Sequence, residues 1–213
     1  MLMRITALQP QANNPERINV FIDGHFQLGV NALLVYEMRL AVNQDITSAQ
    51  LEQLRHEEAL QQAVDRALNF LTFRPRSRTE IRQYLRRKNT PPELIEAALE
   101  RLNQLELVND RDFASFWIEN RDQFNPRGAQ ALKHELRSKG VTQEVVDELV
   151  DNESDEERAM QAGRKKADSL LRQRDMDYAT FYRRLGSYLQ RRGFQFDVVR
   201  KTTKTLWEEA GNQ

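Results

Sequence analysis

Three leucines, Leu85, Leu136 and Leu189, each head the same short pattern. Three residues after each stands a cation (Lys88, Lys139, Arg192). Next comes a residue suited to positive φ (Asn89, Gly140, Gly193). Ten residues after each leucine lies a β-branched apolar side chain (Ile95, Val146, Val199). The period is roughly 50 residues, which marks a tandem repeat. A unit of that length is one supersecondary piece and cannot bury its apolar face alone. Neighbouring copies must therefore stack, and the chain is predicted to form an elongated, curved rod.

The first copy is the densest. In Arg74–Asn89, Ser77 and Glu80 have the spacing of a capping box. The Ser77 hydroxyl is placed to accept from the Glu80 backbone N–H, and the Glu80 carboxylate to reach back to the Ser77 N–H. Ile81, Tyr84 and Leu85 lie at helical spacing and are predicted to face a core. Asn89, Gly140 and Gly193 are the expected left-handed helix stops. Seven cations (Arg74, Arg76, Arg78, Arg82, Arg86, Arg87, Lys88) accompany one acid, Glu80.

Around these anchors the chain divides into an N-terminal extension, residues 1–46, and three units of three helices, 47–109, 110–153 and 154–213. The extension reads as β. Arg4–Leu8 has the pattern of a strand. Arg17–Ile22 and His25–Val30 flank Asp23-Gly24, a strong hairpin signal because a type I′ turn needs positive φ at both centres. A lone hairpin is marginal in water, so a three-stranded sheet lying on a helix is expected. Asn31 is placed to cap a short helix, and Thr47–Gln50 forms a second capping box with Ile46 as its hydrophobic staple. A long helix then runs towards Pro75. Thr90 and Pro91-Pro92, Asn109-Asp110, Asn125-Pro126 and Thr142 have the character of further helix starts. Asp151–Glu157 is predicted to be an exposed acidic helix end or connector.

The chain has no cysteine, which excludes disulfides and thiolate metal sites. No apolar run approaches the ~20 residues that cross a bilayer, and no apolar segment follows Arg4 to make a signal peptide. A cytoplasmic protein without membrane contact is expected. The formal net charge is +0, but residues 158–204 hold thirteen Lys/Arg against four Asp. A basic third repeat is either a solvated face or a surface for an acidic or polyanionic partner.

Catalysis finds little support. His25, His56 and His134 are scattered without metal-ligand spacing, and the glycines form no phosphate loop. Neither a catalytic group, a metal ligand nor a cofactor is expected. Two classes remain. The arginines of 74–88 and of the third repeat suit phosphate contacts, which would make a helical DNA-binding protein. Against this, Glu93, Glu96 and Glu100 in the third helix of the first unit would repel phosphate. A protein-interaction rod fits the mixed-charge surface, the repeats and the lack of a catalytic constellation, so the residues by themselves lead to an all-α repeat protein that binds an extended partner.

The chain also resembles the RecX family of bacterial recombination regulators. The resemblance is carried by Ala67-Leu68-x-Phe70-Leu71 and Arg74-Pro75-Arg76-Ser77-x-x-Glu80-x-x-x-Tyr84-Leu85. It continues through Leu102-x-x-Leu105-x-Leu107-Val108-x-Asp110-x-x-Phe113-Ala114, then Arg121. It ends in Gly128-x-x-x-Leu132-x-x-Glu135-Leu136-x-x-Lys139-Gly140-Val141. The third repeat matches by spacing, and the N-terminal hairpin is similar to the extension of longer members. The resemblance implies a protein that binds RecA in the groove of its filament on single-stranded DNA, and a monomer is expected. It implies modulation, usually inhibition, of ATP hydrolysis, strand exchange and co-protease activity, within recombination, DNA repair and the SOS response. ATP and Mg²⁺ would belong to RecA. On this view the groove-facing positions include Arg76, Arg78, Arg82, Arg86, Arg183, Arg184, Arg191 and Arg192, while Ser77 and Glu80 fix a helix start.

Overall fold

The computed structural model describes residues 2–211. These residues form ten helices and one four-stranded antiparallel sheet, and they divide into two compact units.

The first unit comprises the residues up to Arg74 together with Ile81–Leu107. Its sheet holds β1 (Leu2–Gln11), β2 (Asn14–Ile22), β3 (His25–Asn31) and β4 (Asp45–Thr47) in the order β3-β2-β1-β4. Asp23 (φ 49°) and Gly24 (φ 82°) make the expected tight turn between β2 and β3. The sheet has one strand more than expected. Ile46, just before the Thr47 cap, is buried in one cluster with Leu51 in the first turn of α2, as a staple requires, and it is also a strand residue opposite Met3. Three residues are too few to show alternation, so pairing with β1 and not local pattern creates this strand.

One sheet face packs on α1 (Ala32–Glu37) and on α2 (Ser48–Leu71) through Ile5, Val20, Ile22, Val30, Leu34, Leu51 and Leu54. Asn31 caps α1 by accepting from the Leu33 N–H, and Thr47 with Gln50 forms the expected capping box on α2. Glu58, buried on α2, anchors the sheet. Its carboxylate accepts from Arg17 Nη2 and from the Asn31 N–H, both at 2.8 Å, and from Gln62 at 2.7 Å. A carboxylate taken out of water needs this many donors.

The rest of α2, α3 (Arg78–Arg87) and α4 (Pro92–Gln104) form the first three-helix unit. Ala63, Val64, Ala67, Ile81, Leu85, Ile95, Ala98, Leu99 and Leu102 are buried, and Phe70 stacks on Tyr84 at 4.3 Å. Thr90 is not the cap of α4. Pro91 holds that position, and the buried Thr90 hydroxyl makes no hydrogen bond.

The second compact unit joins Pro75–Glu80 to the residues from Val108 onward. It holds α5 (Asp110–Phe124), α6 (Ala129–Ser138) and α7 (Gln143–Leu149), then α8 (Asp155–Leu171), α9 (Tyr178–Gln190) and α10 (Phe196–Glu209). Phe113, Ala114, Leu132, Leu136 and Val146 centre the first trio; Phe181, Leu185, Leu189, Val199 and Leu206 centre the second. Asn109 caps α5 as expected. The helix expected from Asn125-Pro126 starts later, at Ala129 after Gly128. Thr142 stands at the start of α7, but its side chain makes no capping bond. The acidic stretch Asp151–Glu157 runs into a helix end, with α8 starting at Asp155, but Asp155 is buried where exposure was expected.

Candidate functional site

The repeated pattern builds the same helix end three times. After Leu85, Leu136 and Leu189 the chain turns through Asn89 (φ 57°), Gly140 (φ 85°) and Gly193 (φ 86°). The N–H five residues on then closes onto the leucine carbonyl: Thr90 to Leu85, Val141 to Leu136 and Phe194 to Leu189, at 3.1, 3.1 and 3.4 Å. These are the bonds of a left-handed C-terminal cap. The three leucines and Ile95, Val146 and Val199 are all buried.

Two of these ends are docking points for the start of the preceding unit's middle helix. The Ser77 hydroxyl donates to the Lys139 carbonyl at 2.8 Å, and the Gly128 N–H donates to the Arg192 carbonyl at 2.9 Å. Next in the chain, the Arg78 N–H donates to Asp110 at 2.8 Å, and the Ala129 N–H to Asp155 at 2.9 Å. Both carboxylates sit at the first residue of a neighbouring helix, so one acid serves two helix N-termini. The cation of each end closes the joint. Lys139 Nζ lies 2.7 Å from Glu80 and 4.2 Å above the Trp117 ring. Arg192 lies 4.6 Å above Tyr188 and donates to Asn125 and to the Pro126 carbonyl.

The joints explain why glycine stands at 140 and 193. A Cβ on Gly140 would fall inside the Thr79 hydroxyl and 2.8 Å from Thr79 Cβ. One on Gly193 would lie 2.5 Å from Ala131 Cβ and 2.7 Å from the Ala131 backbone N. Asn89 is exposed, so there only the positive φ must be tolerated, and asparagine suffices. Of the expected capping box, Ser77 Oγ accepts from the Glu80 N–H at 3.1 Å. The Glu80 carboxylate meets Lys139, a partner that local sequence could not name.

The cations separate into those committed within the chain and those facing solvent. Arg82 forms a two-pronged pair with Glu96, at 2.6 and 2.9 Å. Lys133 with Asp147, at 2.9 Å, repeats this brace at the same positions of the next unit. The acids that argued against phosphate binding are thus partly matched internally. Arg192 is committed to its joint. Arg76 and Arg78 are half-buried, whereas Arg86, Arg183, Arg184 and Arg191 are exposed, with Arg184 donating to Gln173 at 2.7 Å. In the third unit Gly186 and Arg200 occupy the brace positions, so Arg200 stays exposed as well. Asp155 is held differently from surface acids. Burial pushes its carboxyl above the ordinary range, against the pull of the Ala129 N–H and Arg158.

Two exposed aromatics were missed. Phe73 and Phe124 stand at the same distance before Leu85 and Leu136, each two residues before a proline, and are 85% and 71% exposed. The repeated Phe-x-Pro-Arg spacing was the available signal. Among the described residues no cluster of His, Asp or Glu could hold a metal ion, and no helix is long and apolar enough to cross a membrane.

Four models of one family match the chain in sequence order. They are the regulatory protein RecX N-terminal domain at residues 3–47 and the RecX first, second and third three-helix domains at 63–102, 109–149 and 153–202. The chain belongs to the RecX family. The RecX relatives include the "Regulatory protein RecX" of Bacillus subtilis (strain 168), 28% identical over 92% of this chain and 74% of the relative. That of Listeria welshimeri is 26% identical over 93% and 74%. A solved structure titled "Crystal structure of regulatory protein RecX" superposes with a TM-score of 0.76 at 20% identity, covering 95% of this chain and 99% of the other. RecX from Lactobacillus salivarius gives 0.61 at 20% identity, over 70% and 97%. At those identities the two structures speak for the RecX fold: three tandem three-helix domains behind a small antiparallel sheet.

Proposed function

We propose that this chain binds RecA and its filament on single-stranded DNA and inhibits ATP hydrolysis, strand exchange and co-protease activity. The observation that carries the reading is the ordered match of all four RecX domains along residues 3–202. The chain acts as a cytoplasmic monomer and contributes no catalytic group, and ATP and Mg²⁺ belong to RecA. Exposed cations supply the contacts to the filament. Of the eight arginines first considered, Arg86, Arg183, Arg184 and Arg191 have the exposure this needs. Arg82 and Arg192 serve mainly to hold helices together.

The test is RecA's single-strand-dependent ATP hydrolysis with the chain added at a small fraction of the RecA concentration. Inhibition is expected. A second reading, DNA binding without RecA, is favoured by the excess of exposed cations on the third unit, Lys165, Arg172, Arg174, Arg183, Arg191 and Arg200 among them. It predicts no effect on RecA, together with retardation of DNA alone that weakens steeply as salt rises.

A further inference from the structure

The end of α3 carries the same cap as the ends of α6 and α9, but among the described residues no helix start is bonded to it as at their joints. Arg86, Arg87, Lys88 and Asn89 are all exposed. At the two filled ends the carbonyl of the equivalent cation accepts from the start of a helix, at 2.8 and 2.9 Å. At the first of these the cation itself pairs with an acid of that helix's first turn, Lys139 with Glu80. Lys88, the counterpart of Lys139 and Arg192, only overlies its own Tyr84 ring at 5.7 Å. Among the described residues none of Arg86, Arg87 and Lys88 forms an ion pair.

We propose that the end of α3 is a docking surface for the N-terminal turn of an acidic helix on the partner protein. This rests on the reading of the chain as a RecA regulator, and the helix is accordingly placed on RecA. The charges are complementary: three exposed cations with no acid among residues 86–89 face a first turn that favours Asp and Glu. The geometry is the one the chain already uses twice, with a helix start laid on a left-handed cap. The Asn89 side chain adds a constraint. Gly140 and Gly193 leave room for Thr79 and Ala131, so the residue facing Asn89 must be glycine or similarly small.

The test compares binding to RecA filaments, assembled on single-stranded DNA with a slowly hydrolysed ATP analogue, for three forms of the full chain. These are the wild type, Arg87→Glu with Lys88→Glu, and a charge-matched control, Arg55→Glu with Arg66→Glu. The first double variant is expected to bind about tenfold or more weakly, with the control close to wild type and both melting as the wild type does. A photo-crosslinking residue at position 88 should join the first turn of an acid-bearing RecA helix. Equal weakening in both double variants would reduce the effect to net charge and overturn the proposal. So would wild-type binding by the Arg87, Lys88 variant, or a cross-link away from a helix start. Failure of the wild type itself to bind the filament would instead remove the RecA reading on which the proposal stands.

Discussion

Replacing Gly140 by alanine probes the joints most directly. The residue sits at φ 85°, where an L side chain costs about 1–2 kcal/mol. Restricting the unfolded chain returns about 0.4–1 kcal/mol. The new Cβ would also overlap the Thr79 side chain, its Cβ at 2.8 Å. Relieving an overlap of that kind typically costs about 1–3 kcal/mol. The loss expected is therefore about 2–4 kcal/mol. Asn89→Ala supplies the comparison, since it meets the backbone cost at an exposed end and should lose about 1 kcal/mol. Thr79→Gly removes both crowding atoms, so in that background Gly140→Ala should cost at least about 1 kcal/mol less. The assay is urea unfolding followed by circular dichroism for the two singles, the double and Asn89→Ala. If Gly140→Ala costs no more than Asn89→Ala, or if Thr79→Gly rescues nothing, the close joint is refuted and only backbone conformation selects glycine.

Three further outcomes are expected. Ser77→Ala should cost about 2 kcal/mol, because one hydroxyl both caps α3 and satisfies the Lys139 carbonyl; a cost below half of that in urea melts would leave only the local cap. Arg82→Ala, at an exposed pair, should cost a few tenths of a kcal/mol, whereas Arg192→Ala should cost about 1–2 kcal/mol through its ring contact and two acceptors; thermal melts of equal shift would contradict the division between them. Asp155→Asn carries a pH signature. Burial raises the folded carboxyl above its ordinary value of 3.8, so its contribution to folding is fully present below that value and fades as pH rises through the raised one. The variant should therefore gain on the wild type between pH 4 and neutrality, and a melting series in which it loses ground would reverse the sign of the argument.

The hairpin, the helix stops and the repeat were legible because each is short-range chemistry. Asp23-Gly24, Asn89, Gly140 and Gly193 announce backbone conformations that few other residues adopt. The buried leucines announce themselves by periodicity. β4 was not legible, since Asp45–Thr47 exists only because β1 offers it an edge. Asp155 read as surface for a similar reason. An acid in an acidic run is ordinarily solvated, and the Ala129 N–H at the start of α6, with Arg158 beside it, gives it a reason to be inside. The candidate site was half legible. Sequence located the cations, but not that Arg82 is matched by Glu96 or that Arg192 reaches back to Asn125 and Pro126.

The sequence by itself determined three helix ends of one kind, because left-handed caps, buried leucines and their spacing are properties of a segment and its own neighbours. Tertiary structure alone decided what those ends do. Gly140 and Gly193 each lie under the start of another helix, about sixty residues away in the chain, and Asn89 lies in the open. Such contacts depend on which surfaces stacking brings together, and no local pattern encodes that.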